Sequence, residues 1–369
     1  MKIAIVLNTS WNIFNFRMGL LKALHSEGHE IVAIAPVDGY SEKLIDTGFE
    51  FIPVRMDSRG INPVKDVSLL LELFMIYRKV RPDIILHYTI KPNIYGTIAA
   101  RMLKIPVINN VCGLGTAFIQ KNLLSRVAQM LYRFAFTTSS TVFFQNDEDR
   151  RFFEEKKIVN TDKCETLPGS GINPDQFKPG VKNSKKFTFL LISRLIHDKG
   201  ILEYIEAIKA LKSQNIEANF QLLGAKDPNH RRGIPESLIQ SWIDGQVVDY
   251  LGKTEDVIPY IENSDCVVLP SYREGTPRTL IEAASMAKPI VASNVAGCAN
   301  IVKDKTNGLL CNVKDSSDLA EKMKEMYQMS KDERSNMGQN GRELVKKFFD
   351  EKIVINKYLN VINHLTNQN

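Results

Sequence analysis

Between Ile84 and Asn146 the sequence contains no aspartate and no glutamate. The same stretch carries Lys91, Arg101, Lys104, Lys121, Arg126 and Arg133, so its positive charge has no local compensation and reads as a basic face suited to an anionic lipid surface or acceptor. Cysteine is sparse as well. Cys112, Cys164, Cys266, Cys298 and Cys311 are scattered among apolar residues without a CxxC pair, which excludes a zinc site of that kind and points to packing thiols in a reducing compartment. No run of apolar residues is long enough to cross a bilayer: the most apolar stretch, SLLLELFMIY, holds Glu72 and soon meets Arg78 and Lys79. The opening MKIAIVLNTSW reads as a buried strand, too short in its apolar run and wrongly flanked for a secretory signal. No aromatic-basic module accompanies the basic face, so nucleic acid is not an expected partner.

What remains is ordinary globular composition, 44% hydrophobic and 24% charged over 369 residues, which gives room for two domains. Short apolar runs alternate with helical periods: KIAIVLN, EIVAIAP, FEFIPVR, PDIILHY and later SSTVFFQN read as strands, with helices between them. That alternation predicts a parallel sheet covered on both faces. Pro, Gly, Asn and Lys then crowd together, and at Phe187 the pattern restarts with FTFLLISR, NFQLLG, VVDYLG, CVVLPS, PIVASN and GLLCN. The expectation is an α/β chain of two doubly wound, Rossmann-like domains, 1–168 and 185–349, joined by a linker over 169–184. Ligands of such sheets bind beyond the carboxyl ends of the strands, which for two facing domains means a cleft between them.

SRLIHDKG follows the first strand of the second domain and places Ser193, Arg194 and Lys199 on the loop at that strand's carboxyl end. Further on, in SYREGTPRTLIEA, a helix opening near Thr276 with Pro277 in its first turn points backbone amides outward. Two cations and a helix start together suit a diphosphate. NDED, Asn146 to Asp149, contains a D-x-D of the kind that binds metal, but at the start of a helix after a strand such residues cap amides. No metal or cofactor is expected.

SYREGTPRTLIEA also holds Glu274 and Glu282 in an E-x7-E spacing, and with SRLIHDKG and GLGT the chain resembles the retaining GT-B glycosyltransferases of family GT4. FNFRMGLLKAL, IKPNIYGTIAARMLKIPVINNVCGLGTAF and VFFQNDED are similar to the CapM-like and PglA-like enzymes of capsule, O-antigen and lipid-linked oligosaccharide synthesis. The resemblance implies a GT-B fold and a division of labour in which Glu282 accepts hydrogen bonds from a ribose and Glu274 faces the transferred hexose. Phosphate charge then falls to Arg194, Lys199 and the backbone around Thr276, Thr279 and Leu280. Gly275 lets the backbone approach the sugar. The loops holding Gly224 and Lys253 lie near the base, which favours uridine. The resemblance further implies that the helix around 350–369 packs back on the first domain.

The first domain should present the acceptor. Here the sequence departs from many GT4 enzymes: LNTSWNIFNFR has no glycine after the first strand, the fourth strand ends with His87 and Lys91, and Cys112-Gly113 stands where HG is usual. Arg17 and Lys91 are expected to meet an anionic acceptor, with His87 and Gly113 beside it. Asn300 replaces a glutamate common among such enzymes. In FIQKNLLSRVAQMLYRFAF, Phe118, Leu123, Leu124, Val127, Leu131 and Phe134 form a stripe flanked by Lys121, Arg126 and Arg133, the pattern of a membrane-surface helix. The expected enzyme moves a hexose or N-acetylhexosamine from a UDP-sugar to a polyprenyl-diphosphate-linked saccharide at the cytoplasmic face of the inner membrane. A UDP-sugar 2-epimerase of the same fold would need no acceptor, and a silent nucleotide-sugar-binding scaffold would need no intact charged set.

Overall fold

The computed structural model describes residues 1–57, 60, 62–113, 123–183, 185–227 and 230–366, the Leu124 side chain excepted. They divide into two compact units, one formed by Met1–Gly171 with Glu351–Asn369 and the other by Ile172–Asp350. In the first, β1 (Lys2–Val6), α1 (Ser10–Ser26), β2 (Glu30–Ala35), α2 (Ser41–Asp46), β3 (Glu50–Pro53), α3 (Pro63–Val80), β4 (Ile84–Tyr88), α4 (Thr97–Met102), β5 (Val107–Val111), α5 (Leu123–Phe136), β6 (Thr141–Phe144), α6 (Asp147–Glu155) and β7 (Cys164–Thr166) follow one another. The strands pair in parallel in the order β3-β2-β1-β4-β5-β6-β7. Successive side chains of a strand point to opposite faces. Thus Ile3 and Ile5 join the core under α1, while Ala4 and Val6 join the core under α3 and α4.

In the second unit β8 (Thr188–Ile192), α7 (Ile201–Ser213), β9 (Asn219–Leu223), α8 (Glu236–Asp244), β10 (Asp249–Tyr250), α9 (Ile258–Asn263), β11 (Cys266–Leu269), α10 (Arg278–Ser285), β12 (Ile290–Ser293), α11 (Ala296–Ile301), β13 (Gly308–Cys311), α12 (Ser316–Gln328) and α13 (Lys331–Phe348) build a six-stranded parallel sheet ordered β10-β9-β8-β11-β12-β13. Each sheet is laid down outward from an inner strand and then continued from that strand's other side. The order therefore reverses between β1 and β4 and between β8 and β11, the places where doubly wound sheets open a crevice at their carboxyl ends.

The stretch expected as a linker is largely part of the second unit. Ile172 and Phe177 are buried in its core, and the Arg342 guanidinium and the Ser285 hydroxyl both donate to the Phe177 carbonyl. After α13 the chain returns to the first unit as α14 (Glu351–Thr366), whose Val354, Tyr358 and Ile362 are buried against α1 and the first sheet. Asn110 donates to the Tyr358 hydroxyl at 3.0 Å. Asn146 caps α6 by accepting from the Asp149 amide at 2.7 Å. All five thiols are free, and no helix of the described residues is long and apolar enough to cross a membrane.

Candidate functional site

The reversal point of the second sheet is charged. The loop after β8 runs through Ser193, Arg194 and a 3-10 turn, His197–Lys199, to Gly200, which takes a left-handed backbone at φ 69°. A Cβ at Gly200 would strike the Pro270 carbonyl on the loop after β11, so only glycine lets the two loops pass this closely. Across that approach Lys199 Nζ meets Glu274 Oε1 at 2.5 Å. Beside it the Tyr272 amide donates to the Asp198 carbonyl at 2.9 Å and the Tyr272 hydroxyl to Glu203 at 2.7 Å, while Arg232 pairs with Asp198 at 2.9 Å. These bonds hold the Lys199–Glu274 pair from both loops.

The next acid is held by its own helix. Glu282 lies one turn into α10, and Arg278 donates to it at 2.8 Å across an i,i+4 spacing. Burial pushes the Glu282 carboxyl above its usual range, and Arg278 works against that shift. The helix begins at Arg278, later than its sequence indicates, with Pro277 extended at the N-cap. Thr279 ties this first turn to β8 by donating to the Ile192 carbonyl at 3.4 Å. The Leu280 amide bonds the Pro277 carbonyl at 3.1 Å and its side chain is fully buried. Gly224 is explained by packing, since a Cβ there would strike the Ser193 carbonyl, and its amide and carbonyl already bond Gly252 and Tyr250. Lys253 is exposed on the loop beyond β10, two strands from β8. Arg194 is half exposed, with Asp227 at 4.0 Å.

Sequence reasoning passed over Arg278, although its spacing to Glu282 on a helix start was readable. It also passed over Gly297 at the start of α11. A Cβ there would sit 2.5 Å from the Glu274 carbonyl and against that of Gly275, so Gly297 fixes the height of the Glu274–Gly275 backbone. That contact joins residues 23 apart and leaves no local mark in the sequence. Asn300, on the same short helix, is exposed.

In the first unit the expected acceptor contacts have unlike surroundings. His87 is completely buried between Tyr77, whose hydroxyl lies 2.9 Å from Nε2, and Thr97, 3.2 Å from Nδ1. Burial lowers its pKa to about 3, so it is a neutral core residue. Lys91 is paired with Asp66 at 2.6 Å, and Tyr95 donates to the other carboxylate oxygen at 3.0 Å, so its charge is already met. Arg17 is buried, its guanidinium 4.6 Å from the centre of the Tyr88 ring, beside a cavity of about 10 Å³ that Glu351 and Tyr358 also line. That volume suits one water molecule. Gly113, at φ 121°, lines a larger cavity of about 210 Å³ at the carboxyl ends of β1, β4 and β5. Among the described residues no group of three or more His, Cys, Asp or Glu is arranged to hold a metal ion.

Two parallel α/β units, the second with paired carboxylates and cations at its sheet reversal, place the protein in the GT-B class of glycosyltransferases. The family model for group 1 glycosyl transferases matches residues 173–344, and that for glycosyl transferase 4-like domains matches residues 2–146. The chain is 30% identical, over 97% of both sequences, to the N,N'-diacetylbacillosaminyl-diphospho-undecaprenol alpha-1,3-N-acetylgalactosaminyltransferase of Campylobacter jejuni. It is 24% identical, over 79% of its own length and 78% of the relative's, to the UDP-Gal:alpha-D-GlcNAc-diphosphoundecaprenol alpha-1,3-galactosyltransferase of Escherichia coli. Anabaena HepE, solved in complex with UDP-glucose, shares the fold over the full length of both chains at 18% identity and a TM-score of 0.79. The chain belongs to the group 1, GT4-like glycosyltransferases.

Proposed function

We propose that this glycosyltransferase moves a hexose or N-acetylhexosamine from a UDP-sugar to a polyprenyl-diphosphate-linked saccharide with retention at the anomeric carbon. The observation that carries this reading is the Lys199–Glu274 pair at the β8/β11 reversal beside the start of α10. The named substrates of the two relatives, a UDP-sugar and undecaprenol-diphosphate saccharides, supply its chemistry.

Without donor, each acid of the motif neutralises a cation. When a UDP-sugar enters, its diphosphate takes the place of the Glu274 carboxylate on Lys199, with Arg194 and the first turn of α10 supplying further positive potential. Glu274 is thereby released to the hydroxyls of the hexose, and Glu282, still oriented by Arg278, accepts from the ribose. The acceptor hydroxyl attacks from the side of the leaving group: its oxygen bonds the anomeric carbon as the bond to the phosphate oxygen breaks, and the departing diphosphate takes the proton. Fixed positive charge on that diphosphate is the main catalytic contribution, and no metal or cofactor is assigned a step.

Peripheral contact with an anionic bilayer is part of the same proposal. On α5, Leu123, Val127, Met130 and Phe134 are exposed at spacings of four, three and four. Arg101 lies over the Phe134 ring, and Arg126 is exposed on the same helix. This stripe differs from the one drawn from sequence: Leu131 packs inward, and Phe118 and Lys121 lie outside the described residues.

UDP release measured with and without undecaprenyl-diphosphate-linked N-acetylhexosamine tests the assignment. Acceptor-dependent release with transfer of the sugar is expected. Interconversion of the UDP-sugar without acceptor would replace this reading by an epimerase, and donor binding without either reaction would replace it by a scaffold.

A further inference from the structure

Within eight residues of the end of β4 the backbone departs from ordinary geometry three times. Thr89 takes φ 66°, a left-handed conformation that a β-branched residue adopts only under constraint. Lys91 is helical, at φ −69° and ψ −46°, although it precedes Pro92. Residues Pro92–Gly96 then form a π-helical turn, a rare form found frequently at functional sites. Moreover, the Thr89 hydroxyl is buried and has no hydrogen-bond partner among the described residues. A buried orphan hydroxyl on a strained residue has two reasons to be replaced by another residue type, and its presence calls for a use.

Thr89 forms part of the wall of the 210 Å³ cavity at the β1/β4 reversal, with Asn8, Lys91, Asn93, Cys112 and Tyr132. Rotation about one side-chain bond exchanges its methyl and hydroxyl and turns the hydroxyl toward that space. The Asn8 amide makes no hydrogen bond to a described residue. Asn93 is spent on Asn109 and Asn110 and forms a fixed polar floor, while Lys91 is neutralised by Asp66. The cavity thus offers amide, hydroxyl and aromatic surface with its one lysine already paired. Its volume lies below the roughly 300–1,000 Å³ of sites for drug-sized ligands.

We infer that this cavity binds one neutral sugar ring, the terminal sugar of the acceptor, and that Thr89 and Asn8 are specificity-determining contacts to its hydroxyl or N-acetyl groups. The inference rests on the transferase reading above and gives the acceptor's diphosphate no place here.

Cys112 provides a direct reporter, because it is half-buried in the cavity wall while the other four thiols are buried. Its thiol is pushed up by burial despite Arg17, so alkylation with iodoacetamide is run at alkaline pH and read by peptide mass spectrometry. An N-acetylglucosamine diphosphate ester of a short prenol should slow labelling at least fivefold, and the same prenyl diphosphate without sugar should not. Equal protection by the sugarless compound, or none by either, would overturn the assignment. Thr89→Val should raise the KM for the sugar ester about three- to tenfold, the span of one lost hydrogen bond. Thr89→Ser should restore it, with UDP affinity by calorimetry showing that both variants are folded. Transfer by the wild type to no prenyl-diphosphate sugar would sink the enzyme assignment itself, whereas wild-type transfer with an unchanged KM in Thr89→Val would sink only this site.

Discussion

Glu274 and Lys199 are one unit in the absence of donor, which sets two substitutions apart. Lys199→Ala removes charge from the leaving diphosphate and should lower turnover about 100- to 1000-fold. Glu274→Gln leaves Lys199 without its carboxylate, so UDP no longer displaces an ion pair; its affinity should rise about fivefold, or about 1 kcal/mol, while turnover falls. Titration calorimetry with UDP and a coupled turnover assay read both effects, and weaker UDP binding by Glu274→Gln would refute the exchange of partners. The sequence made both residues visible, one through an E-x7-E spacing and the other through its place after a restarting strand. It could not show that they touch, because their partnership spans 75 positions and depends on Gly200 bringing two loops together. The surroundings of His87 were hidden for a related reason: a histidine at a strand end looks the same in sequence whether Tyr77 and Thr97 enclose it or a ligand does.

At the scale of elements, the apolar strands were legible because burial on both faces writes them as continuous runs. β5 was not: Asn109 and Asn110 interrupt it, tolerated because Asn93, Thr97, Ser139 and Tyr358 satisfy their side chains. α1 begins at Ser10, where the Thr9 hydroxyl accepts from the Asn12 amide, and its buried face starts at once with Ser10 and Ile13. On α5 the periodicity located a helix, yet which apolar residues face outward depended on the neighbours that cover the rest. The exposed set leads to a measurable expectation. Met130→Ser with Phe134→Ser should weaken flotation with phosphatidylglycerol vesicles about tenfold or more, given about 1.5–3 kcal/mol per buried apolar side chain. Transfer to a short-chain soluble acceptor should persist, and undiminished vesicle binding would remove α5 from the membrane contact.

For the molecule as a whole, the first unit is discontinuous in sequence, and its core is incomplete without α14. Val354, Tyr358 and Ile362 are each nearly inaccessible there, and at about 1.5–3 kcal/mol apiece their burial is comparable with the stability of about 5–15 kcal/mol of an entire domain. Residues 1–171 expressed alone should therefore lack a cooperative thermal transition, and fusing residues 351–366 to them through a short flexible linker should restore one. Residues 172–350, whose sheet and cores are contiguous, should unfold cooperatively by themselves. A sharp transition in residues 1–171 would show that α14 is dispensable.

The chain leaves the first unit at Gly171 and comes back at Glu351, so close that a Cβ on Gly171, at φ 68°, would lie 2.5 Å from the Glu351 Cα. Order of synthesis and order of completion are thus opposed. The half that emerges first from the ribosome must wait, one face uncovered, for the segment after residue 350, while the later half needs nothing beyond Asp350. A chain cut short before residue 351 would carry a finished C-terminal half and an N-terminal half still dependent on chaperones.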